Sequence, residues 1–244
     1  MRVVIRLVIA LLLIGGCAHA PAGEDVRRAA EFERGSFRAA NGVTLPYRLL
    51  RPAGKGPFPL LVVFHGSGAI GTDNEAQLGP LAKSLAARRG QYPAYVLIPQ
   101  FPDRSANYTG AGAARRSHGT ELLTAALELV RDVARREQPS RTFAIGWSMG
   151  GSAVWNALVA QPRMFDAVAI VAGVPNPDAL AQLGATRVLL VHGDADEENP
   201  FAAAWAIHER APRIELWRYP GLAHEFPKEL LETPRLAEWL FRRP

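Results

Sequence analysis

Residues 146–150 read Gly-Trp-Ser-Met-Gly, a single hydroxyl held between glycines in the pattern G-x-S-x-G. An apolar run at 141–146 predicts a strand before it and residues 149–160 predict a helix after it, so Ser148 falls on a sharp strand-to-helix turn. Glycine suits the flanking positions because a Cβ at either would collide with the neighbouring strand or helix. The helix N-terminus behind the hydroxyl favours developing negative charge. A helix capped by serine would use the same residues to no chemical end. What separates the two readings is a base, since a serine hydroxyl is a poor nucleophile until its proton is removed.

Two later stretches supply the missing groups. "LLVHGDADEENP" follows the seventh predicted strand and "RYPGLAHEFP" the eighth, giving the chain order Ser, Asp, His. His224 is the expected base, on a glycine-bearing loop before the last helix. His19 falls in the leader, His65 and His192 begin turns, and His118 and His208 sit on helices, where structural roles are expected. Among Asp194, Asp196, Glu197 and Glu198, the expected acid is Asp196, because Asp194 lies so close to the strand end that it suits bonding to turn amides. Oxyanion donors are expected from the backbone of Met149, the residue after the nucleophile, and from Ser67 or Gly68 in "VVFHGSGAIGTDNEAQL", with Ser67 the first choice. Nucleotide binding is not expected: the chain has no G-x-x-x-x-G-K-S/T and no G-x-G-x-x-G opening directly into a predicted helix. Nor does any metal-ligand spacing occur, so no cofactor or metal is expected.

These groups need a scaffold that gathers strand ends. Strands are predicted at 36–40, 43–50, 60–65, 94–99, 141–146, 166–172, 187–192 and 213–219, and helices at 74–89, 118–137, 149–160, 200–210 and 228–242. Asn41-Gly42 predicts a hairpin between the first two strands. The later apolar strands alternate with helices, which predicts an α/β fold: an about eight-stranded, mostly parallel sheet covered on both faces, with reactive groups at the strands' carboxyl ends.

The segments "VTLPYRLLRP", "FHGSGAIGTDNEAQL", "YVLIPQFPDRSANY", "GWSMGG", "HGDADEENP" and "PGLAH" together resemble the α/β-hydrolase superfamily over about residues 40–240. More narrowly they resemble its carboxylesterase and predicted-peptidase branch, near the phospholipase/carboxylesterase and dienelactone-hydrolase-like groups. The resemblance implies that the acid is the second aspartate of His-Gly-x-x-Asp, which falls on Asp196. It also implies that the residue after His-Gly donates an oxyanion amide, which falls on Ser67. Two positions depart from the pattern: Trp147 stands where a smaller residue is common, and Glu197-Glu198-Asn199 replaces apolar residues.

With 244 residues the chain fits one hydrolase domain, 36–244, preceded by a signal segment at 1–20 and a tether at 18–35. "MRVVIRLVIALLLIGGCAHA" has two arginines, a short apolar run and small residues, the layout of an export signal. Ile14-Gly15-Gly16-Cys17 resembles a lipobox and is favoured over cleavage after Ala18-His19-Ala20, because Cys17 is the sole cysteine and cannot form an internal disulfide. The expectation is a bacterial envelope lipoprotein facing the periplasm, tethered to the membrane through lipid on Cys17 and otherwise soluble there or secreted. Loss of Arg2 and Arg6 would lower the formal charge of +5 to about +3, which argues for no anionic partner such as nucleic acid.

No insertion is long enough for a lid domain, so the cleft is expected to be open and to suit short-chain or exposed small-molecule esters. Gly68, Trp147, Phe101 and Tyr108 are the expected lining, and Arg104, Arg115 and Arg116 the nearby basic residues. Three activities compete: a serine carboxylesterase working through an acyl-enzyme, a peptidase or amidase using the same triad, and a non-catalytic binding module on a hydrolase scaffold. Ester hydrolysis is the favoured one.

Overall fold

In the computed structural model residues 30–242 are described; Cys17 and both candidate cleavage sites lie outside them. Strands β1 (Glu33–Arg38) and β2 (Thr44–Leu50) form the expected hairpin, with Gly42 at a positive φ of 84° in its turn. There follow β3 (Leu60–Phe64), α1 (Pro80–Ala87), β4 (Tyr95–Pro99), β5 (Ala106–Thr109), β6 (Arg116–Gly119), α2 (Glu121–Glu137), β7 (Thr142–Trp147), α3 (Met149–Ala160) and β8 (Ala167–Val171). The chain continues through β9 (Arg187–Gly193), α4 (Phe201–Arg210), β10 (Glu215–Tyr219), α5 (Lys228–Glu232) and α6 (Arg235–Phe241).

Eight strands make one sheet in the order β1-β2-β4-β3-β7-β8-β9-β10. β2 pairs antiparallel with both β1 and β4, and from β4 onward every pairing is parallel. Alternation along each strand feeds two cores. Leu60, Val62 and Phe64 point to the face covered by α2 and α3, while Leu61 and Val63 point to the face covered by α1 and α6. Because both faces are covered, β3 is buried at all five positions, which is why such strands read as unbroken apolar runs.

The structure departs from the expected elements in four places. β1 starts at Glu33, inside the segment read as tether, and Phe32 just before it is buried. The first helix starts at Pro80, not 74, because Gly79-Pro80 is an N-terminal signal and the preceding loop is held by its own side chains. Asp73 Oδ1 there accepts from the amides of Glu75 and Ala76 at 2.7 and 3.1 Å. The long 100–117 connection and the first residues of the helix expected at 118–137 form a small antiparallel pair, β5–β6, that the polar residues of those strands concealed, so His118 lies on a strand and the helix starts at Glu121. Pro234 splits the last helix into α5 and α6.

Candidate active site

All four loops carrying the expected groups leave the carboxyl ends of parallel strands: β3 leads to Ser67, β7 to Ser148, β9 to Asp196 and β10 to His224. At the β7–α3 turn Ser148 adopts φ 56°, ψ −118°, a conformation costly for a residue with a Cβ, on the order of 1–3 kcal/mol. Its side chain makes no cap bond to the helix, which removes the purely capping role. Sterics explain the glycines. A Cβ on Gly150 would run into the carbonyl of Phe64 on β3, and one on Gly146 into the backbone of Gly150.

Ser148 Oγ lies 2.8 Å from His224 Nε2, and His224 Nδ1 lies 2.8 Å from Asp196 Oδ2. A carboxylate only accepts, so Nδ1 carries the proton and Nε2 is free to accept from the serine hydroxyl. Asp196 is nearly inaccessible, and desolvation works against its charge. Three donors outweigh that burial and hold the carboxyl well below its ordinary range: His192 Nε2–H, shared between the Asn199 carbonyl at 2.8 Å and Asp196 Oδ2 at 3.2 Å, His224, and the Asn199 amide at 2.9 Å to Oδ1. The bond to Asp196 in turn raises the His224 pKa above its ordinary value.

Asp194 has a different task. It accepts from the Gly221 amide at 2.6 Å and from Arg218 Nε at 2.8 Å, pinning the end of β9 to the turn that carries His224. The expectation of amide bonding holds, although the amide belongs to the neighbouring loop.

The oxyanion candidates are placed by two devices. Met149 opens α3, where first-turn amides have no acceptor within the helix. Ser67 opens a short 3₁₀ turn, and its peptide plane is fixed from the other side by His65. His65 Nε2 accepts from the Phe101 amide at 2.9 Å, so its proton is on Nδ1 and is donated to the Gly66 carbonyl at 2.8 Å. That carbonyl and the Ser67 N–H belong to one trans peptide and point opposite ways. Burial keeps His65 neutral by lowering its pKa, as these bonds require.

Trp147 stacks on the His224 ring, with centroids 6.0 Å apart, and together with Gly68 lines an apolar cavity beside the triad. Phe101 is a correction: it is wholly buried in the core, stacked on Phe64 at 5.9 Å, and lines no cleft. An aromatic just past a strand end has the same sequence signature whether it faces core or solvent. Tyr108 is half-buried on β5, its hydroxyl 3.5 Å from Ser152 Oγ and its ring beneath Arg115; it is not part of the apolar cavity's lining. Sequence reasoning did not foresee His192 and Asn199 as donors to the acid. The only available signal was their position on either side of Asp196.

Comparison with known proteins adds the lineage. Over 209 residues the chain is 29% identical to a protein of Nocardia uniformis subsp. tsuyamanensis named "Putative esterase NocK", covering 81% of this chain but only 56% of that protein. A "Probable carboxylesterase" of Oryza sativa subsp. japonica is 26% identical over 221 residues, 77% of this chain and 89% of that one. Among solved structures, a thermostable esterase superposes with a TM-score of 0.76 at 23% identity, over 88% of this chain and 64% of its own, and this likeness identifies the α/β-hydrolase fold. The chain thus spans little more than half the length of the first of these relatives. Because the sequence pattern of the dienelactone hydrolase family matches residues 84–235, well over half of the chain, the protein belongs to that family of hydrolases.

Proposed function

We propose that the protein is a serine hydrolase of carboxylic esters, with Ser148 as nucleophile, His224 as general base and acid, and Asp196 as the orienting carboxylate. The observation that carries this reading is the unbroken hydrogen-bond chain Ser148–His224–Asp196, at 2.8 Å for each link. Ser148 Oγ attacks the ester carbonyl while its proton passes to His224 Nε2. The carbonyl oxygen gains negative charge and is met by the amides of Met149 and Ser67. His224 then protonates the departing alkoxide, leaving an acyl-enzyme that water hydrolyses through the same base. Esterase names among the relatives support an ester over an amide substrate. Small-molecule ester groups would approach from solution, since the only strand insertion outside the main sheet among the described residues is the β5–β6 pair.

The test is covalent labelling by a fluorophosphonate together with turnover of matched p-nitrophenyl ester and p-nitroanilide substrates. Wild-type protein should be labelled at Ser148 and should cleave the ester far faster than the anilide. Ser148→Ala should lose labelling and reduce kcat by on the order of 10⁴ or more with an unchanged circular dichroism spectrum. Full activity in that variant would remove Ser148 from the chemistry, and an anilide rate matching the ester rate would shift the reading to an amidase.

A further inference from the structure

The cavity that Trp147 and His224 border has a volume of about 580 Å³ and extends between the 66–69 loop, α1 and α5. Pockets of roughly 300–1,000 Å³ accommodate drug-sized ligands, so an acetyl or other two-carbon group would leave most of this one empty. Its walls include Val63, Leu81, Phe226 and Leu231, and its charged lining residues, Glu225 and Lys228, are exposed to solvent. Gln77, a buried and uncharged polar member of the wall, donates through Nε2 to Asn74 Oδ1 at 2.6 Å and keeps a buried Oε1 without a hydrogen-bond partner. Asn74 is itself fixed by donating to the Gly35 carbonyl at 3.2 Å. The surroundings therefore present apolar area without a charged anchor, and they do so directly against the ring that is to receive the serine proton.

We infer that the natural esters carry, on one side of the scissile bond, an apolar arm of aromatic-ring or six-to-ten-carbon size that fills this cavity. The inference rests on the ester-hydrolase reading above and assigns its substrate class. It departs from the short-acyl expectation, which rested on the lack of a lid: an open approach to the ester group and an apolar side pocket are compatible features. Each methylene transferred from water into the cavity is worth about 0.8 kcal/mol, or about fourfold in kcat/KM where the contact persists into the transition state.

The experiment compares two matched series on the full chain. One holds the leaving group constant as p-nitrophenol and varies the acyl group from acetyl to decanoyl and benzoyl; the other holds the acyl group as acetyl and varies the alcohol from ethanol to decanol and benzyl alcohol. In one series kcat/KM should climb at least tenfold between the two-carbon and six-carbon members. Ala76 lines the cavity and is exposed to solvent, so a larger side chain here displaces no core packing and borders the cavity. Ala76→Trp should cut the long-to-short ratio of that series at least tenfold. Two flat series, or a ratio unmoved by Ala76→Trp, would overturn the inference while leaving the esterase reading intact. Absence of hydrolysis across both series, with the protein folded and Ser148 present, would instead overturn that reading and the inference with it.

Discussion

At the scale of single residues, the site rests on dividing two neighbouring aspartates between chemistry and structure. Asp196 accepts from His224, His192 and the Asn199 amide, whereas Asp194 accepts from the Gly221 amide and Arg218. An asparagine at 196 would present an NH₂ group to donors and favour the wrong imidazole tautomer. Asp196→Asn should therefore lower kcat by on the order of 10³–10⁴ with little change in KM. Asp194→Asn keeps an acceptor oxygen for Gly221 but loses the charge facing Arg218, so it should lower the melting temperature with kcat nearly unchanged. Steady-state kinetics and thermal melts on the two variants decide this. The reverse order of rate losses, at equal circular dichroism, would exchange the roles.

At the scale of elements, the strand-to-helix turn works because β3, β7 and α3 approach so closely that only glycine fits. Gly150→Ala would drive its Cβ into the Phe64 carbonyl, a backbone atom that cannot rotate away, and should cost roughly 2–3 kcal/mol and displace Ser148. Gly90→Ala, with nothing within 4 Å of the added carbon, should stay within about 0.5 kcal/mol; urea melts of both give the comparison. A Gly150→Ala protein as stable and active as wild type would mean that the turn is looser than its contacts imply. This element was legible in the sequence because its sterics leave a local signature, and the same holds for the parallel strands, whose two-sided burial produces apolar runs. The β5–β6 pair was not legible. β5, Ala-Asn-Tyr-Thr, alternates in burial over only four residues, and β6, Arg-Ser-His-Gly, has no apolar side chain and one buried position, so neither carries a run long enough to read as a strand. Phe101 failed for a related reason: which side of a strand end a ring turns to depends on the tertiary partners Phe64 and His65, and these are distant in sequence.

At the scale of the whole molecule, catalysis and stability meet in how its histidines titrate. His224 has a raised pKa, chiefly through its bond to Asp196, so its stabilising contribution is fully present below the unfolded value of about 6.5 and is lost as pH rises through the folded value. His65 has the opposite sign: burial lowers its pKa, so its contribution is present above about 6.5 and is lost as pH falls through and below that value. Asp196, held low, contributes above about 3.9 and loses that contribution only as pH falls through its depressed folded value, well outside the histidine window. The two histidines therefore act on opposite sides of about pH 6.5, and the wild-type melting temperature should pass through a maximum near that pH, falling on the acid side through His65 and on the alkaline side through His224. In His224→Gln the His65 slope below about pH 6.5 remains but the alkaline fall is gone, so the gap between wild type and variant should stay constant below about pH 6.5 and narrow as pH rises above it through the folded His224 value. Over that interval wild-type kcat/KM should increase, since only neutral His224 can take the serine proton. Melting curves and ester kinetics collected in parallel from about pH 5 to pH 9 test the linkage. A gap independent of pH, alongside a rate that still rises, would mean that the rate reports a group other than the imidazole bonded to Asp196.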